Sequence, residues 1–249
     1  MLNIGGALIA QNPQKALPYF QETLSNAISL NDTHLQIHAY RAIGLVFILL
    51  GKFSDSMTFL KKALSLTQDG SYSYLRLLVL SALTTLCSRS SNKDEGEKYF
   101  FLGMALADTV GVEFVKLDLL DELGHLYVNL EMFSKSKEHL EQAMELLNKY
   151  SNSLPNQGSI FNQLGRIRCV EGNFKEGLSY FEKSLEISKQ IGARTITVGW
   201  KLHFALALEN IDPIRSISLL EECVEIKESI GHALAAQYRH HLEDLRSKS

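Results

Sequence analysis

The chain has 249 residues, 45% of them hydrophobic and 21% charged, with 25 Lys and Arg against 28 Asp and Glu for a net charge of −3. This is the composition of a soluble folded protein, and it holds no basic excess to neutralise phosphates, which argues against a nucleic-acid partner. The longest apolar run, Ala42–Leu50, is nine residues, far short of the ~20 of a membrane span, so no membrane partner is expected. The start, Met1-Leu2-Asn3-Ile4, lacks the charged segment and cleavage site of a signal peptide. Cys87, Cys169 and Cys223 are too far apart for a disulfide framework or a metal site, which fits a reducing, cytoplasmic setting.

Six times along the chain a small residue is followed four positions later by a large apolar one and three later by another small one. The sets are Ala16/Phe20/Thr23, Ser56/Leu60/Ala63, Gly96/Phe100/Gly103, Ser136/Leu140/Ala143, Gly177/Phe181/Ser184 and Ser216/Leu220/Cys223, with centres 40, 40, 40, 41 and 39 positions apart. A period that survives the whole length predicts a repeat array rather than one globular core. In chain order the expected repeats are 1–30, 31–70, 71–111, 112–152, 153–192 and 193–231, followed by a cap helix over 232–247.

Each repeat reads as helix, short turn, helix, short turn. In the first, Asn12-Pro13 starts the second helix and Ile4-Gly5 is the remnant of the first; Pro18 falls inside the second helix, where it removes a backbone bond. In the second, Tyr40, Ile43, Gly44 and Phe47 lead into Ser56, Leu60 and Ala63. Leu45, Ile48 and Leu49 there would form an apolar inner surface, covered by the preceding repeat's long helix. In the third, Leu80, Leu83, Thr84 and Cys87 lead into Gly96, Phe100 and Gly103; in the fourth, Leu120, Leu123, Gly124 and Tyr127 lead into Ser136, Leu140 and Ala143. In the fifth, Asn173 is expected to cap the second helix, with Glu176 completing a capping box. In the sixth, Phe204-Ala205 and Leu208 align only if the turn is one residue short, and Asp212-Pro213 repeats the Asn12-Pro13 signal. Stop signals stand at Asn31, Gly70, Gly111, Asn152, Gly192 and Gly231. The cap helix presents Ala233, Ala236, Tyr238, Leu242 and Leu245 inward and Arg239, His240, Glu243, Asp244 and Arg246 outward. The N-terminal end has no such cap, and the chain is expected to be cut from a longer protein.

The pattern large-x2-Leu-Gly-x2-Tyr followed by Ala-x3-Phe-x2-Ala resembles the tetratricopeptide repeat. Leu120, Leu123, Gly124, Tyr127, Ser136, Leu140 and Ala143 match it almost throughout, and the Phe161 repeat departs from it only at Arg168. The resemblance implies an all-α, right-handed superhelix forming one domain over 1–249. The usual period is 34 residues, and repeats lengthened to 40 are similar to those of kinesin light chains, bacterial peptide-sensing regulators and the sensor arms of large bacterial signalling ATPases. Heat-type and armadillo-type repeats share the longer period but lack the Leu-Gly-x2-Tyr signature.

The resemblance also implies a concave groove lined by the first helices, and with it a protein or peptide partner. The residues it assigns to that groove are Arg41, Thr85, Arg89, Asp121, His125, Asn129, Asn162 and Arg166, at exposed positions flanking the Leu-Gly leucine. Asn129 and Asn162 would pair with peptide amides and Arg166 would take a carboxylate. The Lys/Asn carboxylate clamp of chaperone-binding members is missing, since the corresponding pairs are Arg41/Leu45, Ser81/Thr85, Asp121/His125 and Asn162/Arg166. No cofactor, metal spacing or nucleophile motif stands out, and the expected function is a non-catalytic scaffold within a larger regulatory or signalling protein. The alternatives are a ligand-sensing arm controlling an attached effector, or a self-association module whose terminal repeats take a second copy.

Overall fold

The computed structural model describes residues 2–150 and 153–248, and every regular element among them is an α-helix. Two compact units, Met1–Asn152 and Ser153–Ser249, divide the chain where the periodicity separates the fourth repeat from the fifth.

The first unit runs α1 (Leu2–Ile9), α2 (Pro13–Ser29), α3 (Thr33–Leu49), α4 (Phe53–Ser65), α5 (Ser73–Arg89), α6 (Lys93–Val110), α7 (Glu113–Asn129) and α8 (Phe133–Tyr150). Each helix packs on the next, and the first helices α3, α5 and α7 also pack on one another. Side-chain oxygens start several helices: Asn12 accepts from the Lys15 N–H at 3.1 Å, Asp32 from Leu35 at 2.9 Å and Asn92 from Glu95 at 3.4 Å. Pro18 lies inside α2 without ending it. The short α1 is the expected remnant: a Cβ added to Gly5 would lie 2.6 Å from the Phe20 ring.

The turns within the helical hairpins are alike. In the second, third and fourth repeats the N–H three residues past the first helix bonds back across five residues, Lys52 to the Phe47 carbonyl at 2.9 Å, Asn92 to Cys87 at 2.9 Å and Met132 to Tyr127 at 2.8 Å. The residue between takes a left-handed conformation, with φ of 70° at Gly51, 54° at Ser91 and 58° at Glu131. Ser91 and Glu131 adopt it despite a cost of roughly 1–2 kcal/mol for an L-residue. The bonds of the turn and the packing of the helices on either side offset that cost. Of the predicted stops, Asn31, Gly70, Gly111, Gly192 and Gly231 all have positive φ; Asn152 lies outside the described residues.

The small positions do more than make room. The Ser56 hydroxyl donates to the Gly44 carbonyl at 2.9 Å, and Ser136 donates to Gly124 at 2.9 Å. Gly44 itself is a close approach, since an added Cβ would meet Leu60 at 2.6 Å. Phe20, Leu60, Phe100 and Leu140 are all buried. Ile48 joins one buried cluster with Leu75, Val79 and Leu83 of α5, and Leu45 packs against it. The cover on this apolar stripe thus includes the following repeat's first helix, and Leu49 stays half-buried.

The second unit runs α9 (Leu154–Val170), α10 (Phe174–Ile191), α11 (Arg194–Leu208), α12 (Pro213–Ser229) and α13 (Ala235–Lys248). Gly165 and Gly177 face each other so closely that a Cβ on either would stand 3.0–3.1 Å from the other's carbonyl oxygen. In the last repeat the Ser216 hydroxyl donates to the Ala205 carbonyl at 2.7 Å, across 11 residues where the first-unit bonds span 12; the turn is one residue short, as the alignment required. Asp212 caps α12 through the Arg215 N–H at 3.1 Å.

Two expectations are corrected here. Asn173 makes no side-chain capping bond, and Glu176, instead of completing a capping box, turns to Arg168, 3.2 Å from its Nε. The cap helix begins at Ala235 rather than His232, and Ala233 and Ala236 are exposed. Leu242 is buried in the α11–α12 cluster, with Tyr238 packed against it. The polar side of α13 also holds on to its neighbours: Arg239 pairs with Glu228, Arg246 with Glu221, and His241 with Glu209 at 2.6 Å.

Candidate partner-binding face

The eight residues assigned to the groove fall on first helices, five to the α5–α7 pair, two to α9 and one to α3. The structure brings only some of them together, and it buries three that were expected to be exposed: Asp121 is 5% exposed, His125 6% and Asn162 2%.

On α5 and α7 a polar cluster forms around His125. Its Nδ1 lies 2.6 Å from the Ser88 hydroxyl, and its Nε2 lies 3.1 Å from Arg89 Nη1. Arg89 Nη1 and Asn129 Nδ2 also lie 3.5 and 3.4 Å from Nδ1, so groups that can only donate face both ring nitrogens, and the Ser88 hydroxyl can give or accept. Asn129 donates from Nδ2 to the Ser88 carbonyl at 3.0 Å, and Arg89 reaches Glu122 at 3.4 Å. Ser88 and Glu122 complete the cluster. Thr85 donates to the Ser81 carbonyl within its own helix at 3.1 Å and takes no part.

In the second unit Asn162 bridges α9 and α11. Its Nδ2 donates to the Trp200 carbonyl at 3.0 Å, and its Oδ1 lies 2.7 Å from His203 Nδ1. Because the amide nitrogen is spent on a carbonyl, Oδ1 is the acceptor and His203 donates. His203, one place before Phe204 in the last repeat, lies outside the residues that the resemblance assigns to the groove. Arg166 is half-buried on the same helix.

In both units, then, an asparagine expected to bind a peptide amide instead binds the backbone of the adjacent first helix. The packing of first helix on first helix places each carbonyl within reach, and a buried carbonyl without a donor would be costly.

Arg41 on α3 stands apart. It is half-buried, its Nε is enclosed without a hydrogen-bond partner, and burial holds the guanidinium below its ordinary pKa. Cys87 and Cys223 are fully buried, and burial pushes each thiol up to about 12, as core cysteines rather than nucleophiles. No His, Cys, Asp and Glu grouping that could hold a metal occurs among the described residues. No helix among them is long and apolar enough to cross a membrane.

Residues 117–149, covering most of α7 and all but the end of α8, match the tetratricopeptide repeat family. Among solved structures, a signal transduction ATPase with numerous domains from Pyrococcus horikoshii, carrying a tetratricopeptide repeat sensor, is similar at TM-score 0.55 and 16% identity, over 94% of this chain and 32% of that one. This chain carries a tetratricopeptide repeat at 117–149, and its fold is similar to that of a tetratricopeptide repeat sensor. BtubC from P. vanneervenii shares the fold at TM-score 0.56 and 14% identity, over 95% of this chain and 91% of that one. The cell division cycle protein 16 homologues of Homo sapiens and Mus musculus are each 23% identical over 188 residues, 74% of this chain. The chain matches about a quarter of their length, 24%.

Proposed function

We propose that this protein captures a protein or peptide along its first helices and serves as the interaction module of a regulatory or signalling assembly. The observation that carries the reading is the pairing of positioned and available groups. Arg89 is exposed at the end of α5, yet Glu122 and His125 fix its direction. A pre-aimed guanidinium loses little freedom on binding and suits a carboxylate or a backbone carbonyl. Arg41, Thr85 and Arg166 supply further contacts, while Asp121, His125, Asn129 and Asn162 hold the helices that carry them.

The test is a peptide-display selection against the purified chain, followed by Arg89→Ala and Arg166→Ala variants. The reading predicts one or more enriched peptide families whose binding weakens in at least one variant at unchanged melting temperature. A selection with no enriched family, or binding indifferent to both substitutions, contradicts it.

A further inference from the structure

On α3, His34, His38 and Arg41 recur at a spacing of four and three, which places them in one stripe along the helix. The stripe passes from exposed His34 through half-buried His38 to half-buried Arg41. The two imidazoles are 4.7 Å apart between ring centroids, and Tyr72 lies 6.4 Å from His34. Tyr74, at the start of α5, acts on Arg41 from across the helix pair.

What is missing is a negative charge. Neither α3 nor α5 carries an Asp or Glu; Glu22 on α2 and Asp55 on α4 stand on the other helices packed against α3, and neither forms an ion pair with Arg41. Asp32, the nearest in sequence, is spent on capping α3. Among the described residues the Arg41 guanidinium makes no hydrogen bond or ion pair, and its Nε is enclosed. A cation withdrawn from water without a partner is costly to the fold. Burial, followed by His34 and Arg41, also holds His38 below the ordinary histidine pKa.

We propose that Arg41, His38 and His34 form a receptor for one oxyanion, a carboxylate or phosphate on the captured partner, entering over His34. The guanidinium offers a planar fork of donors and the imidazoles offer further N–H groups. Leu45, one turn beyond Arg41, presents no carboxamide, so the anion would rest on the guanidinium and the imidazole N–H groups. The proposal rests on the scaffold reading and adds the chemistry of one partner group.

The test uses the full chain and side-chain NMR. The Arg41 Nε–H and the His34 and His38 ring resonances are followed during titration with sodium phosphate, sodium acetate and sodium chloride at matched ionic strength. A saturable shift at Arg41 with phosphate or acetate, absent with chloride, is expected, and Arg41→Gln should weaken it at least about tenfold. Response to phosphate alone assigns a phosphorylated partner group; response to acetate as well assigns a carboxylate. No saturable shift with either anion, or an unchanged affinity in Arg41→Gln, overturns the proposal. Melting curves guard against a purely structural role: Arg41→Met should melt at or above the parent temperature, and a clear fall would show the guanidinium is used by the fold and overturn the proposal too. A silent titration beside a successful peptide selection removes this receptor and leaves the scaffold reading standing.

Discussion

Arg41 and Arg89 lie on adjacent first helices of the same unit, and the fold treats them in opposite ways. Arg89 is exposed but held, through Glu122 at 3.4 Å and His125 at 3.1 Å. Arg41 is half-buried and held by nothing, with its Nε shut away from water. One side chain could leave without much effect on the fold; the other is a charge the fold would do better without. The contrast is between a guanidinium aimed by its neighbours and one left without a counter-charge.

The largest effect should follow from breaking the held side. His125→Ala leaves the buried Ser88 hydroxyl without its partner and frees Arg89, at about 1–3 kcal/mol. By calorimetry that is a fall of several degrees for a chain of this size. A silent substitution would mean the α5–α7 cluster does not hold those helices.

The second unit extends the comparison to histidines. His203 donates to Asn162 and is satisfied, whereas both nitrogens of His232 face donors, the Leu234 N–H at 3.1 Å and Lys227 Nζ at 3.4 Å. Burial and then Lys227 lower the His232 pKa to about 4. Since the folded value lies below the unfolded one, the unfolded chain binds the extra proton more readily. Stability is therefore full above the ordinary value of about 6.5 and declines as pH falls toward 4. The loss over that window should be about 1–2 kcal/mol, and His232→Asn, whose Oδ1 can replace Nδ1, should flatten the slope of melting temperature against pH. An identical slope in the variant would show the ring is not the group responsible.

A smaller effect is expected at the exposed arginine. Arg89→Ala should change stability by no more than about 0.5 kcal/mol while weakening any selected peptide. A loss comparable to that of His125→Ala would place Arg89 among the structural residues.

Much of this was legible in the sequence because helical hairpins are specified locally. The small-large-small sets located Phe20, Leu60 and Phe181 in the core, and Asn12-Pro13 and Asp212-Pro213 located two helix starts, since spacing and capping act within one or two turns of chain. The left-handed turn residues Ser91 and Glu131 escaped notice because nothing in their side chains favours that conformation; the surrounding turn imposes it. The serine-to-carbonyl bonds of Ser56, Ser136 and Ser216 escaped because a period records size, not hydrogen bonding. The groove residues were the least legible. Asp121, His125 and Asn162 occupy positions that are exposed on an isolated hairpin, and only the packing of α5 on α7, or of α9 on α11, buries them. That contact joins residues about 40 positions apart, and no local pattern reports it.

The account turns on whether a charge on α3 is withheld from the fold. Thermal unfolding of Arg41→Met and Arg89→Met, measured side by side in anion-free buffer, tests that most directly. The account predicts that Arg41→Met melts at or above the parent while Arg89→Met matches the parent or falls slightly below it. A marked fall for Arg41→Met would contradict it, because it would show that the enclosed guanidinium supports the helices it lies between.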